Sequence, residues 1–486
     1  MLLFLLLSVI FPLLCGLALF VLKIQSVKAK KIICAAAVIV TSALTFLAIT
    51  QGDTEKYDLL RFSEILTFSL KSDGLGHLFA GMVAFLWPFA IFYVFVYLKH
   101  DEKVIKYSAF YLMTYGVVLG VCFAANALTL YVFYELLTFI TLPLITHTET
   151  KEARRAGRMY LYYSLTGSSL ALAGIVILTV TAGSCSFAEN GLFESLDGIG
   201  QFAYVLTFVG FGVKAAVFPM CGWLPMASAA PTPTTALLHA VAVVKSGAFA
   251  IIRFSYYFCS PAVLRGTSAQ YIAAGLAALT VVYGSCMALK EQHFKRRFAY
   301  STISNLSYIL LGALILSKAG LEASLAHFLF HSVTKIGIFF CIGAIIETTG
   351  AQYVYELNGM GRKAPLVFIC FTVSGLSLIG IPPFSGFVSK YYLLSSALSD
   401  GSVCSYIGAG AIIISAVLTA AYVLSVSVRA FARTPNELSQ SYFDSAKEPS
   451  RGFIYITAFF SLVSLLFGLF GGTFIDIISK LTGGVA

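Results

Sequence analysis

The chain has 486 residues, 59% of them hydrophobic and only 11% charged, with a formal net charge of +10 and a mean hydropathy of +0.89. A soluble globular domain carries roughly 25% charged residues, so this composition excludes a large soluble domain and identifies an integral membrane protein. The positive balance sits mostly in short loops between apolar stretches. That makes it a topological signal, not a footprint for nucleic acid.

Fourteen apolar stretches recur along the chain, and each is long enough as a helix to cross a hydrocarbon core of about 30 Å. They lie near 2–22, 32–50, 76–98, 107–124, 127–146, 159–182, 201–222, 232–252, 269–289, 299–316, 323–346, 365–398, 405–428 and 452–477. The fold expected is all-α and membrane-embedded; the alternating segments of about 10 residues that a β-barrel needs are not seen. The first stretch has no basic segment before it and no clear cleavage site after it, so a retained span is expected, not a signal peptide. Pro219 breaks the seventh span. The twelfth is too long for one simple helix and holds Pro382 and Pro383. Breaks at membrane depth are tolerated where the backbone lies inside protein or lines a wet cavity.

Loop charge sets the orientation. Lys23, Lys28, Lys30 and Lys31 follow span one, and Lys99, Lys103 and Lys106 follow span three. Lys151, Arg154, Arg155 and Arg158 follow span five. Lys290, Lys295, Arg296 and Arg297 follow span nine, and Arg429, Arg433, Lys447 and Arg451 follow span thirteen. The loops 51–75 and 183–200 are acidic or nearly free of basic residues. The positive-inside rule puts the odd loops in the cytoplasm and both termini outside, in a multi-pass protein of the inner (cytoplasmic) membrane. The ten cysteines are scattered without a C-x-x-C pair or zinc spacing, and no Walker-type motif is present. No cofactor or metal is expected in this chain.

The informative residues are charges where charge is costly. Glu135 is the one formal charge in the forty residues 107–146. Lys214 lies five residues before Pro219, Lys245 six after His239, and Lys390 seven after Pro383. His327, His331 and Lys335 are spaced four apart, which stacks them on one helix face over about 12 Å. Each has a plainer reading. A lysine near a span end snorkels, Glu135 and Lys214 form a structural ion pair, a histidine hydrogen-bonds in the core, and a proline merely kinks. Five spans carry such groups near their middle, however, and two of the five are broken. At that depth each charge costs at least about 2.5–3.5 kcal/mol, and the default reading is functional. The chemistry these groups suit is proton transfer, with a carboxylate biasing a lysine and histidines linking one lysine to the next. Ser228 and Thr232, among the hydroxyls of 228–235, and His239 are read as ordering water beside the break.

The segment "WLPMASAAPTPTTALLHAVAVVKSG" resembles the signature of the antiporter-like membrane subunits of respiratory complex I. That family also includes Mrp-type cation/proton antiporters and membrane-bound, energy-converting hydrogenases. "YVFYELLTF", "HFKRRFAYSTISNLSYI", "HFLFHSVTKIGIFFCIGAI" and "SGLSLIGIPPFSGFVSKYYLL" match further family blocks in order, from about residue 73 to 430. The resemblance implies fourteen helices with two inverted five-helix repeats, spans four to eight and nine to thirteen, and broken helices seven and twelve. The chain then divides into 1–106 (helices one to three), 107–253 (first repeat), 254–431 (second repeat) and 432–486 (helix fourteen). It also implies that Glu135 and Lys214 act as a pair, that Lys245, His327, His331 and Lys335 continue the route, and that Lys390 is the exit group. Ser228 stands where members often carry a histidine. The chain ends at 486 and so resembles the medium-length members.

The function expected is that of a proton-translocating, or sodium/proton-translocating, subunit. Its partners would be other membrane subunits, related antiporter-like ones among them, and a peripheral redox module. The alternative is a subunit of an Mrp-type antiporter with no redox partner. A stand-alone solute transporter and a scaffold that has lost transport are further rivals. The first would need a pocket for an organic substrate, and the second would need the buried charges to be dispensable.

Overall fold

Apolar runs between good caps become long helices. The computed structural model describes residues 2–21 and 26–483; the end of the first expected span at Leu22, the loop residue Lys23 and both chain ends lie outside the described residues. In chain order come α1 (Leu2–Val21), α2 (Val27–Thr50), the strands β1 (Tyr57–Arg61) and β2 (Thr67–Leu70), α3 (Gly74–Tyr97), α4 (Val104–Cys122), α5 (Ala127–Ile145) and α6 (Lys151–Ala182). Next are α7 (Gly198–Lys214), α8 (Trp223–Ala227), α9 (Thr232–Ala240), α10 (Val243–Arg253), α11 (Pro261–Leu264), α12 (Ser268–Lys290), α13 (Phe294–Ala313) and α14 (Lys318–Thr349). The chain closes with α15 (Pro365–Ile379), α16 (Ser385–Asp400), α17 (Val403–Ala432), α18 (Gln440–Ser445), α19 (Arg451–Leu469) and α20 (Gly471–Leu481). Among the described residues, eleven helices are long and apolar enough to cross a membrane, counting Thr232–Cys259 as one. The seventh, tenth and twelfth expected spans are helical but fall outside that set.

Helix ends follow local chemistry. The side chains of Asp73, Asn126, Thr150, Asp197, Thr267, Ser317 and Ser402 each accept a hydrogen bond from the backbone N–H three residues on, which satisfies a donor that the helix leaves free. Small residues let helices touch. A Cβ on Gly167 would lie 2.6 Å from Val213 Cβ, so α6 and α7 meet backbone to backbone there. The center of the protein is α14, buried along most of its length and packed against α9, α13, α15, α16 and α19.

The structure refines the expected spans in three places. The loop 51–75 holds an antiparallel hairpin, Tyr57 opposite Leu70, pinned to α5 where Thr129 Oγ1 accepts from Ser69 N–H at 2.8 Å. The seventh span runs past residue 222. Its helix stops at Lys214 and resumes as α8 at Trp223. The freed groups are re-paired, with Trp223 Nε1 donating to Val213 O at 2.7 Å and Phe218 N–H to Thr280 Oγ1 at 3.0 Å, as irregular backbone at this depth requires. The eighth span is also broken, at Val241 and Ala242, with neither proline nor glycine at the break.

Candidate functional site

Three broken helices bring the buried charges toward the middle of the protein. Lys214 is the last residue of α7, where the helix ends before Pro219. Its ammonium lies 3.8 Å from Glu135 Oε1 on α5, donates to the Tyr134 carbonyl and sits 3.4 Å from the Tyr134 ring center. Lys214 is fully buried, whereas the Glu135 side chain keeps 17% exposure. One end of this pair therefore reaches the protein surface.

Lys245 follows the break in the eighth span. Its Nζ donates to Phe328 O at 3.0 Å, lies 3.3 Å from His331 Nδ1 and is 4.6 Å from the Phe328 ring center. The rings of His331 and His327 stack at 5.6 Å, and His327 Nδ1 hydrogen-bonds Ser389 Oγ on α16 at 2.9 Å. His327, His331, Asn305, Thr334, Ser389 and Lys390 line a cavity of about 10 Å³, near the lower limit for one water.

Lys335 turns away from the two histidines of its own helix. Its Nζ donates to Phe298 O at 3.0 Å and to Ser301 Oγ at 2.8 Å on α13, 5.4 Å from the Phe298 ring center. Ser301 Oγ also accepts from Tyr422 Oη at 2.7 Å. Lys335 thus joins a hydroxyl branch with α17 and does not stand in line between His331 and Lys390.

Lys390 reaches back across the break that holds Pro382 and Pro383. Its Nζ donates to Leu378 O at 2.8 Å and Ile379 O at 2.9 Å. These are carbonyls of the last turn of α15, which carry the negative end of the helix dipole. Gly380 makes the turn at φ +94°, a left-handed conformation that favours glycine.

A common pattern emerges. At Lys214, Lys245 and Lys335 one aromatic residue supplies both the accepting carbonyl and the ring face: Tyr134, Phe328 and Phe298 respectively. Among the described residues, Glu135 is the only carboxylate that pairs with any of the four lysines. Neutral dipoles and cation–π contact hold the other ammonium groups.

The remaining expected residues lie near the breaks. Ser228 follows α8 with its hydroxyl buried and unpaired. Thr232 opens α9 and donates to Tyr97 Oη at 3.2 Å. His239, two residues before the break in span eight, packs at a tilt against the Phe339 ring at 4.7 Å with both ring nitrogens unpaired.

Sequence reasoning missed one buried pair. Arg253, fully buried at the end of α10, holds Asp73 in a bidentate contact, with Nη1 to Oδ2 at 2.7 Å and Nη2 to Oδ1 at 2.6 Å. Asp73 also caps α3. Burial acts to raise its carboxyl pKa, but the Arg253 guanidinium outweighs that and keeps it below the usual carboxylate value. The signal available was an arginine inside an aromatic run, "IIRFSYYF".

Similarity to known proteins follows the same elements. The NADH:quinone oxidoreductase/Mrp antiporter, TM family model matches residues 124–419. The chain is 31% identical over 355 residues to Na(+)/H(+) antiporter subunit A1 of Staphylococcus saprophyticus, covering 70% of this chain and 44% of that protein. It is 31% identical over 356 residues to NADH-quinone oxidoreductase subunit N of Desulforudis audaxviator, covering 72% and 70%. A chain of the archaeal membrane-bound sulfane sulfur reductase complex has the same fold, with a TM-score of 0.86 at 22% identity over 99% of this chain and 97% of that one. The matched region accounts for less than half the length of the antiporter subunit A1, so that likeness describes a part of the larger protein. The chain is a multi-pass integral membrane protein and belongs to the NADH:quinone oxidoreductase/Mrp antiporter transmembrane family.

Proposed function

We propose that this chain is a proton-translocating, antiporter-like subunit of a multisubunit membrane complex, moving charge along its buried Glu/Lys/His row in response to redox chemistry in partner subunits. The observation that carries the reading is the joined run from Lys245 through His331 and His327 to Ser389, with Lys390 on the same small cavity. Hydrogen-bonded and near-contact titratable groups of this kind pass protons, and the site has no room for an organic substrate.

Glu135 is the switch. At about 4 Å, an effective dielectric of about 20 gives a coupling near 4 kcal/mol, roughly three powers of ten in proton occupancy. A neighboring subunit that protonates or pairs the exposed side of Glu135 thereby alters the charge state of Lys214. The coupling is reciprocal in binding free energy. Ser228, Thr232 and His239 order water beside the breaks, Lys335 forms a charged side branch, and Lys390 is the exit group. We propose the division 1–106, 107–253, 254–431 and 432–486, with the two middle units as inverted repeats. The matching broken helices α7–α8 and α15–α16 support that division. The inner membrane, with odd loops cytoplasmic and both termini outside, fits the loop charges. Redox cofactors belong to partner subunits.

The second reading is a subunit of a cation/proton antiporter without a redox partner, favored by the likeness to antiporter subunit A1. Purification of the intact complex in mild detergent separates the two. Flavin, iron or nickel co-purifying in stoichiometric amount supports redox coupling, and their lack in an active antiporter supports the second. Proton pumping into vesicles by the assembled complex, unchanged by Lys245→Ala, would reject the row itself.

A further inference from the structure

A large cavity lies apart from the buried row, in a cleft between the ends of α4, α5 and α6. Its volume is about 930 Å³. Lys103, Lys106, Lys151, Arg154, Arg155 and Arg158 line it. Glu149 is the only carboxylate in the lining, and it pairs with Lys103 at 2.7 Å. Among the described residues, the other five cations have no ion pair.

The charge is arranged, not scattered. Residues 151, 154, 155 and 158 fall on one face of α6. That helix has 32 residues, about 48 Å in length, against a hydrocarbon thickness of about 30 Å. Its first turns therefore extend to headgroup level, where the positive end of the helix dipole adds to the basic side chains. Below the basic rim the wall turns apolar on all three helices. Phe110 lies one turn deeper than Lys106 on α4, Leu161 one turn deeper than Arg158 on α6, and Leu142 and Pro143 lie below Thr146 on α5.

From this gradient we propose that the cleft binds an anionic phospholipid, with the phosphate on the rim of Lys106, Arg154 and Arg158 and the upper acyl chain against Phe110, Leu142 and Leu161. Inorganic phosphate alone would leave the apolar wall wet and most of the volume unused. A zwitterionic lipid would leave the five cations uncompensated. In the orientation proposed above the cleft opens to the cytoplasmic face, where basic pockets between transmembrane helices suit phospholipid headgroups.

The test uses the intact complex, stripped of lipid in neutral detergent and titrated with phosphatidylglycerol, phosphatidylcholine or inorganic phosphate, with bound lipid counted by native mass spectrometry. Phosphatidylglycerol should be retained in preference to phosphatidylcholine. The triple variant Lys106→Gln/Arg154→Gln/Arg158→Gln should weaken it by about 100-fold. A control triple, Lys28→Gln/Lys30→Gln/Lys31→Gln, removes equal charge outside the cleft and should retain it. Leu161→Trp fills the apolar wall with every cation kept, should also reduce retention, and decides the matter if the charge variant does not assemble. Equal retention of the two lipids, or unchanged retention in the triple variant or in Leu161→Trp, overturns the proposal. So does inorganic phosphate displacing the lipid at equal concentration. A photo-crosslinker at Arg155 that captures a neighboring subunit in place of lipid overturns it as well, and makes the cleft a protein interface.

Discussion

Phe328 holds Lys245 twice: its carbonyl accepts from the ammonium at 3.0 Å, and its ring center lies 4.6 Å from the same nitrogen. The first contact belongs to the main chain and the second to the side chain, so the two can be separated. Phe328→Leu removes only the ring, whose attraction is about 0.5–2 kcal/mol. Proton pumping by the assembled complex should fall several-fold, and Phe328→Tyr should retain it. A normal rate in Phe328→Leu would mean that the carbonyl and His331 suffice.

Glu135→Gln keeps shape and removes the only carboxylate that, among the described residues, pairs with a buried lysine. Pumping should be abolished or nearly so, with subunit assembly intact by size exclusion. Full pumping in an assembled Glu135→Gln complex would show that the pair is structural.

Lys335→Ala should cost more pumping than His327→Ala. Water can stand in for an imidazole beside Ser389, whereas the charge on the Ser301 branch has no substitute. Equal, full activity of both variants in reconstituted vesicles would leave that face of α14 structural.

Lys390 has two duties, which methionine removes together and arginine separates. In the proposed row it releases protons, and in the structure it donates to the carbonyls of Leu378 and Ile379. Lys390→Met should block pumping and also destabilize the break, since each buried acceptor left bare costs about 1–3 kcal/mol. Lys390→Arg keeps a charged donor that does not release its proton. It should assemble more nearly as the parent does, yet fail to pump. A pumping Lys390→Arg complex would exclude Lys390 as the exit group.

Asp73→Asn should lower the thermal stability of the complex by about 3–5 kcal/mol, because it leaves Arg253 buried without its partner. The pH sense follows from the lowered carboxyl value. The pair contributes fully above the ordinary carboxylate range, about pH 4, and its contribution falls as acid carries the pH down through the lowered native value. Asp73→Asn should remove that acid dependence; a parental melting curve at neutral pH would deny the pair a structural role.

Isolated charges and prolines were the legible part of the sequence. Glu135 and Lys214 stand out because nothing near them is charged, and the breaks at Pro219 and Pro382–Pro383 follow from missing donors and fixed φ. The break at Val241 and Ala242 was not legible. No residue there forbids a helix, and the distortion goes with packing of α10 on the end of α7, where a Cβ on Gly247 would lie 2.5 Å from Ala215 N. The turn of Lys335 toward Ser301 was hidden for a similar reason, since a four-residue spacing fixes where a side chain starts but not which neighbor it reaches. Asp73 and Arg253 are 180 positions apart, and only the folded chain joins them.

At all four lysines an acceptor is a peptide oxygen: that of Tyr134, Phe328, Phe298, or of Leu378 and Ile379. No substitution deletes a peptide oxygen. A side-chain scan will therefore find the lysines and pass over much of what holds them, and these sites can drift in sequence while the cation stays seated. What they cannot tolerate is a change of phase. Inserting or deleting one residue in α5, α13 or α14 swings every later carbonyl about 100° around the helix axis, so the row is protected by helix length more than by residue identity.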